Sequence, residues 1–189
     1  QKYDVVKRNG IWKINSNDFE WSNADEFDKW IETCTDNGLD RIYFTGGEPT
    51  INKKHMDILD ILIKKDKAKY TSLEYNTNLV AVPQRLLDQW NEFKHVSAGI
   101  SIDAKDDLAG YIRHPSVWTD IENNLNKIGS GQIKSLTAGI SSTISIMNIR
   151  HFISLAEWLY DKNYKSVWRY TGWHMLHGPE YLNVQCLPV

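Results

Sequence analysis

Short apolar runs alternate with amphipathic stretches along most of this chain, and the alternation predicts an α/β fold. An apolar run bounded by polar loops is typical of a buried strand, whereas apolar residues spaced three and four apart predict a helix. Strands that alternate with helices pair in parallel through right-handed crossovers. The predicted strands are Arg41–Thr45, Ser72–Tyr75, Val96–Ile102, Leu136–Ile146, Val167–Tyr170 and Leu182–Leu187.

Helices are predicted in the stretches between these strands. The first begins at a cap formed by Ser22 or Asn23 and ends at Gly38. Five or six strand–helix units predict an open or incomplete α/β barrel with a mostly parallel sheet and its helices outside. The other four helices contain Met56 to Ile63, Pro83 to Trp90, the residues from Ser116 to Ile128, and Phe152 to Leu159.

The N-terminal residues precede the first strand–helix unit. Gly10–Trp21 alternates apolar and polar positions, so we expect residues 1–21 to form a linker or a short hairpin and residues 22–189 to form the barrel core. The chain starts at Gln1 and ends just after an apolar run. We interpret it as a piece of a longer protein whose first strand lies outside it; a processed native start is the alternative.

Composition and charge narrow the class of protein. The 189 residues are 41% hydrophobic and 24% charged, which is typical of a globular domain. A net charge of -2 argues against nucleic-acid binding by bulk charge. Neither a signal peptide nor an apolar run of about 20 residues is present, so we expect a cytoplasmic protein without a membrane partner. Two cysteines cannot form a disulfide framework.

Polar residues follow several predicted strands, where ligands of parallel sheets bind. After the first strand, Gly46 and Gly47 leave backbone groups open, and Glu48 offers a carboxylate before Pro49. A carboxylate beside bare peptide groups suits a ligand ammonium; the alternative is a tight turn with a solvated Glu48. The corresponding positions after the later strands are Asn76-Thr77-Asn78, Ser101 with Asp103, and Ser141-Ser142-Thr143.

Four of these motifs, taken together, resemble the radical S-adenosylmethionine (SAM) superfamily. The stretch Thr45–Pro49 resembles the GGEP motif of that family, and Ser101-Ile-Asp103 followed by Tyr111-Ile-Arg113 resembles its fourth-strand pattern. Asn76-Thr77-Asn78 resembles the turn after the third strand, and Thr143 to Asn148 the stretch after the fifth. The segment Tyr181–Pro188 resembles members with a shortened auxiliary-cluster ("twitch") domain. The resemblance implies a partial (β/α)6-type barrel.

The resemblance also implies roles for individual residues. Glu48 would pair with the SAM ammonium, and Arg113 and Ser101 with the SAM carboxylate. Two simpler roles remain open: Arg113 forms a surface ion pair with Asp106 or Asp107, or Asp103 caps the following turn. The full set of expected cofactor contacts is Gly46, Gly47, Glu48, Pro49, Asn76, Asn78, Ser101, Asp103, Arg113, Thr143 and Asn148.

The cluster-binding cysteines of that family are absent from this sequence. Members hold a 4Fe–4S cluster with a C-x-x-x-C-x-x-C loop, whereas the cysteines here are Cys34 and Cys186, both at positions that predict packing. We therefore expect no catalytic residue, no metal site and no tightly bound cofactor within these residues, and an inactive piece. His174 and His177 have a spacing seen in metal sites, but no further ligand follows them, so we expect a loop or pocket role.

The resemblance implies that the parent protein cleaves SAM reductively at a 4Fe–4S cluster and abstracts hydrogen from a substrate. A peptide substrate and an electron donor are the expected partners. We also expect Gly10–Ile14 to cover an exposed sheet edge, or two copies to associate through the edge at Arg41–Thr45. Two alternatives remain: a cluster-less α/β module that binds a polar or phosphorylated ligand at the strand ends, or a non-catalytic interaction domain.

Overall fold

The structure is a computed structural model that describes residues 5–8, 11–14, 25–36, 38–164 and 168–187. Its strands are β1 (Val5–Arg8), β2 (Ile11–Ile14), β3 (Arg41–Phe44), β4 (Ser72–Thr77), β5 (His95–Ser101), β6 (Leu136–Ile144) and β7 (Trp168–Met175). Its α-helices are α1 (Asp25–Asp36), α2 (Lys53–Lys64), α3 (Gln84–Trp90), α4 (Asp106–Ile112), α5 (Trp118–Gly129) and α6 (Phe152–Lys162).

Five of the strands form one parallel sheet in the order β3-β4-β5-β6-β7. Neighbours in the sheet are also neighbours in the chain, with helices in the connections, as expected for repeated strand–helix crossovers. This arrangement confirms the predicted α/β fold and its partial barrel. Across β4, β5 and β6 the register aligns Thr77 with Ile100 and then with Ile140.

One face of the sheet is packed against the helices. Leu73, Ile100 and Ile140, from β4, β5 and β6 on this face, are at most 1% exposed. The helices contribute fully buried residues to the same core because their apolar residues recur at helical spacing. Among them are Leu59, Leu62, Leu86, Trp90, Leu125 and Ile128.

The other face of the sheet, which we call the inner face, is polar. Strand side chains alternate between faces, so Glu74, Ser97 and Thr137, which align in register, share this face and are partly exposed. Sheets made only of parallel strands usually have apolar residues on both faces, because both are covered. The polar residues here therefore indicate a face built to contact water or a ligand, and it leads to the carboxyl ends of the strands.

Three features differ from the sequence-based expectations. Leu182–Leu187 is not a strand: Glu180–Leu182 and Val184–Cys186 are short 3-10 turns, and the Asn183 side chain accepts from the Gln185 amide, which favours a turn. Helix α4, which carries Arg113 directly after it, was not predicted. The predicted Val167 and the cap residues Ser22 and Asn23 lie outside the described residues.

The N-terminal strands form a sheet of their own. Strand β2 pairs antiparallel with β1, Ile11 opposite Arg8, rather than with the edge of the five-stranded sheet. The expectation that Gly10–Ile14 covers the edge at β3 is therefore wrong for Ile11–Ile14, because those residues belong to a separate two-stranded sheet; Gly10 lies outside the described residues. Association of two copies through that edge stays a prediction. Within the part of the chain that is described, no helix has the length and apolar character needed to cross a bilayer.

Candidate functional site

The loops after β3, β4, β5 and β6 meet at one edge of the sheet because the strands are parallel and in register. Sequence reasoning assigned this edge to a ligand on the positions of polar residues alone. The structure places the predicted residues there in two groups. One group surrounds Glu48 after β3, and the other surrounds Asp103 after β5.

Glu48 is partly buried and heavily hydrogen-bonded. Its Oε1 accepts from the Thr50 hydroxyl at 2.7 Å, from the Thr50 amide at 3.2 Å and from the Thr77 hydroxyl at 2.6 Å. Its Oε2 accepts from the Asn78 amide at 2.7 Å. All four donors are neutral, so they add no positive charge beside the carboxylate. They also fix its position between the ends of β3 and β4, so a cation that approaches this edge meets a preorganised anion.

Gly46 and Gly47 precede Glu48 in a backbone conformation that only glycine adopts easily. Their φ angles are +83° and +54°, and no heavy atom lies within 4 Å of the position that a Cβ would take at either residue. The space beside this backbone is therefore open, and the peptide groups are accessible to a ligand. Pro49 follows as the first residue of a short 3-10 turn that Glu48 caps.

A largely buried cluster of His55, Phe44 and Tyr75 packs next to this loop. His55 of α2 is 4% exposed, and its Nε2 lies 2.7 Å from the Tyr75 hydroxyl of β4. Its ring packs edge-on against Phe44, the last residue of β3, with centroids 4.3 Å apart. Burial lowers the pKa of His55 to about 4, and the Pro49 carbonyl partly offsets that effect. His55 Nδ1 makes no hydrogen bond of acceptable geometry within the described residues. His55 thus ties α2 to the strands that carry the loop.

The second group joins the ends of β5 and α4. Arg113 Nε donates to Asp103 Oδ2 at 2.7 Å, and the side chains are 32% and 9% exposed, respectively. The partner of Arg113 is therefore Asp103 rather than Asp106 or Asp107. Ser101 lines a small recess together with Asp103 and Arg113.

The turn after β6 completes this group. The Thr143 amide donates to Asp103 Oδ1 at 2.7 Å. Asn148 is 1% exposed, and its side-chain amide donates to the carbonyls of Asp103 and Thr143, both at 2.8 Å. Its Oδ1 accepts from the Ser145 amide at 2.8 Å. Asn148 therefore fixes the shape of the turn, and its polar atoms are already in use.

The two asparagines of the β4 end differ in their surroundings. Asn76 is exposed on the inner face, and its side-chain amide donates to the Tyr43 hydroxyl at 2.5 Å. Asn78 Oδ1 accepts from the Val80 amide at 3.1 Å, which makes a local turn. Asn76 and Tyr43 are thus the more accessible polar pair, and Asn78 contributes mainly its backbone amide to Glu48.

Opposite charges lie on two loops of this edge. Glu48 follows β3, whereas Arg113 follows α4 and is joined to Asp103 after β5. The terminal amino groups of Arg113 form no hydrogen bond or ion pair within the described residues. An anion on one side and a guanidinium on the other suit a zwitterionic ligand, since each charge of the ligand meets its opposite.

The two cysteines of the sequence are too few for the three thiolates of the expected cluster, and they lie on different elements. Cys34 is half-buried on α1 and Cys186 is exposed in the last 3-10 turn, and each is a free thiol. Within the described ranges, no group of three or more His, Cys, Asp or Glu side chains is arranged to hold a metal ion.

Sequence reasoning did not assign the contacts of several residues that build this edge. Thr50 and Thr77 donate to Glu48, and Tyr43 accepts from Asn76. Thr77 was named among the polar residues at the strand ends, but not as a partner of Glu48. Helix α4 has detectable signals: Asp106 and Asp107 stand in its first turn, where the helix dipole favours anions, ahead of apolar residues at helical spacing.

Comparison with protein families gives one match. The family model described as the radical SAM superfamily matches residues 9–159 of this chain. No curated protein matches the sequence.

Solved structures with a similar fold include two SAM-bound proteins. The structure of anSMEcpe with bound AdoMet has a TM-score of 0.59 and 17% identity, over 84% of this chain and 46% of that chain. SuiB of Streptococcus suis bound to S-adenosylmethionine has a TM-score of 0.55 and 12% identity, over 95% of this chain and 38% of that chain. SuiB bound to its precursor peptide SuiA has a TM-score of 0.53 and 13% identity, over 96% of this chain and 39% of that chain. At such identities the likeness shows the fold alone, and the chain spans less than half the length of these proteins.

Proposed function

The chain belongs to the radical SAM superfamily, and from this premise we propose that the Glu48–Arg113 edge of its sheet binds SAM within an enzyme that cleaves that cofactor reductively. The observation that carries the proposal is the pair of opposite charges at one edge, with open glycine backbone beside the anion. SAM is a zwitterion at its methionine end, so its two charged groups match this edge.

The proposed contacts divide between the two groups of residues. Glu48 and the peptide groups of Gly46 and Gly47 receive the ammonium. Arg113, through its terminal amino groups, and Ser101, through its hydroxyl, receive the carboxylate. Asn76 lies on the accessible side of the edge and is placed for a ribose hydroxyl. We assign the adenine to the side of the turn from Thr143 to Asn148, where the Asn148 side chain holds the turn rather than the ligand.

Reduction of SAM breaks one of its carbon–sulfur bonds. The residues of this chain hold SAM in position and provide the charged groups that contact it. The required reductant is a 4Fe–4S cluster held by three thiolates, and two cysteines cannot provide them. We therefore assign no step of the reaction to a cluster on these residues. The proposal requires three cysteines from outside the 189 residues, and it implies that this chain alone does not cleave SAM.

A peptide is the proposed substrate. The structures of similar fold include SuiB bound to its precursor peptide SuiA and anSMEcpe bound to a Cp18Cys peptide. In this chain, the polar inner face offers Ser97, Thr137 and Glu74 beneath the proposed cofactor edge. Hydroxyl and carboxylate groups hydrogen-bond well to peptide backbone. We also propose a reducing, cytoplasmic location, where the free thiols Cys34 and Cys186 stay unpaired.

The test uses the protein expressed from its complete gene. Its sequence should contain a C-x-x-x-C-x-x-C loop upstream of Gln1, and the protein, reconstituted anaerobically with iron and sulfide, should form 5′-deoxyadenosine from SAM on addition of dithionite. Glu48→Gln and Arg113→Ala should each lower that yield at least about tenfold, the loss of one charge-assisted contact. Glu92→Gln, which changes an exposed carboxylate on another loop, is the matched control. An upstream sequence without those cysteines would contradict the proposal and favour a cluster-less ligand-binding module.

A further inference from the structure

Both carboxylate oxygens of Asp103 are already engaged, as those of Glu48 are, but one partner of Asp103 is a charged side chain, whereas all partners of Glu48 are neutral. Oδ2 accepts from Arg113 Nε and Oδ1 accepts from the Thr143 amide, each at 2.7 Å. The side chain is only 9% exposed. A carboxylate has no donor of its own, and a buried one stays charged only when it is paired. Asp103 therefore has little accessible surface left for a ligand hydroxyl.

The contact with Arg113 uses only the Nε atom of the guanidinium and leaves its two terminal amino groups available to a ligand. A bond at Nε fixes the plane of the group, so the direction of the terminal amino groups is set before any ligand arrives. Ser101 lines the same recess as Arg113. The contact through Oδ1 holds a different loop, the turn at Thr143, and the Asp103 carbonyl ties that turn again through Asn148.

We propose that Asp103 is a positioning residue that couples the two cofactor loops: one oxygen aims the Arg113 guanidinium at the ligand carboxylate, and the other anchors the turn at Thr143. This inference rests on the proposed function, since it concerns the same SAM-binding edge. It assigns Asp103 an action through Arg113 and Thr143 in place of a direct contact with the ribose. A coupling residue explains why a buried charge is kept at this position.

Two substitutions change the contacts of Asp103 to different extents. Asp103→Asn has one accepting oxygen for two donors and no charge, so it removes the ion pair with Arg113 in either orientation of the amide. Asp103→Ala breaks both contacts. Asp107→Asn removes one negative charge from an exposed position four residues away and is the matched control.

The experiment measures equilibrium binding of SAM and of decarboxylated SAM, which keeps the ammonium and sulfonium but lacks the carboxylate. We expect Asp103→Asn to weaken SAM binding about tenfold, as Arg113→Ala does, and to leave decarboxylated SAM within about twofold of wild type. Asp103→Ala should weaken both ligands, because the turn at Thr143 loses its anchor. Asp107→Asn should leave both unchanged.

A second readout needs no ligand. In the nuclear magnetic resonance (NMR) spectrum of the wild-type chain, the Arg113 Nε–Hε proton should exchange slowly with water, because it is bonded to a shielded carboxylate, and Asp103→Asn should speed that exchange at least about tenfold. Rapid exchange in wild type would overturn the inference even if the variants failed to fold. The inference would also be overturned if the Asp103→Asn protein still bound SAM more tightly than decarboxylated SAM and the Arg113→Ala protein did not. Failure of wild type to bind SAM would overturn the proposed function, and the inference with it.

Discussion

Replacement of His55 by glutamine should flatten the acid dependence of stability. His55 is 4% exposed, lies against Phe44 and Tyr75, and has a pKa lowered by burial to about 4. A histidine in the unfolded chain has a pKa of about 6.5. Glutamine does not titrate and still reaches the Tyr75 hydroxyl, so His55→Gln removes the proton linkage with a small change in packing.

The direction and size of the effect follow from the two pKa values. Between about pH 6.5 and about pH 4 the unfolded chain binds the extra proton, so the free energy of unfolding falls as the pH falls through that window. The stability contributed by a neutral buried His55 is fully present above about pH 6.5. At about 1.4 kcal/mol per pKa unit, a drop from neutral pH to about pH 4.5 removes about 2 kcal/mol through this residue.

The assay is urea unfolding of three proteins at neutral pH and at about pH 4.5. Other groups also titrate, so the informative quantity is the loss in wild type minus the loss in the variant. We expect wild type to lose about 2 kcal/mol more than His55→Gln. His151→Gln, at an exposed histidine, should behave as wild type does. Equal losses in wild type and His55→Gln would refute the reasoning that burial keeps His55 neutral.

Three further predictions concern the loop, the core and the surface, each checked by urea unfolding. Gly46→Ala should lower the free energy of unfolding by about 1 kcal/mol because the φ of Gly46 is +83°. Gly178→Ala should not lower it, because a Cβ there also meets no atom and φ lies outside the left-handed region. Equal effects of the two substitutions would contradict the conformational argument. Leu73→Ala should cost about 2–5 kcal/mol because Leu73 is 0% exposed at the centre of the core, and Leu187→Ala, at a 42% exposed residue, should cost far less. Arg85→Gln should leave the urea midpoint unchanged, because its ion pairs with Asp57 and Asp60 are solvent-exposed; a clear drop would show that the pairs act as a network.

The parallel sheet was predictable because its strands are signalled locally. Runs such as Arg41–Phe44 and Val96–Ser101 are bounded by polar loops, and the helices between them have one apolar face. Leu182–Leu187 misled the prediction because an apolar run does not show whether a partner strand is available. Asn183 caps a turn there, and the apolar side chains remain partly exposed.

The candidate site was predictable in its position and only partly in its contacts. Glu48 was found because it follows a strand, and strand ends meet at one edge. Arg113 was assigned only through the resemblance of Tyr111-Ile-Arg113 to the radical SAM pattern. The partners of these side chains depend on register and on loop geometry, which sequence spacing does not specify. Thr77 reaches Glu48 across 29 residues, and Asp103 reaches the Thr143 amide across 40. The resemblance implied Asp103 and Asn148 as ligand contacts but not their bonds within the protein, which the structure shows.

Titration of the isotopically labelled chain with SAM, followed through its backbone NMR signals, tests the central claim most directly. Weak binding is measurable in this way, so the cluster is not needed for detection. We predict concentration-dependent shifts at Gly46, Gly47, Ser101 and Arg113, absent from Gly178, and lost in Glu48→Gln and Arg113→Ala. The same shifts with inorganic phosphate in place of SAM, or no shifts at these residues with SAM, would contradict the assignment of this edge to SAM.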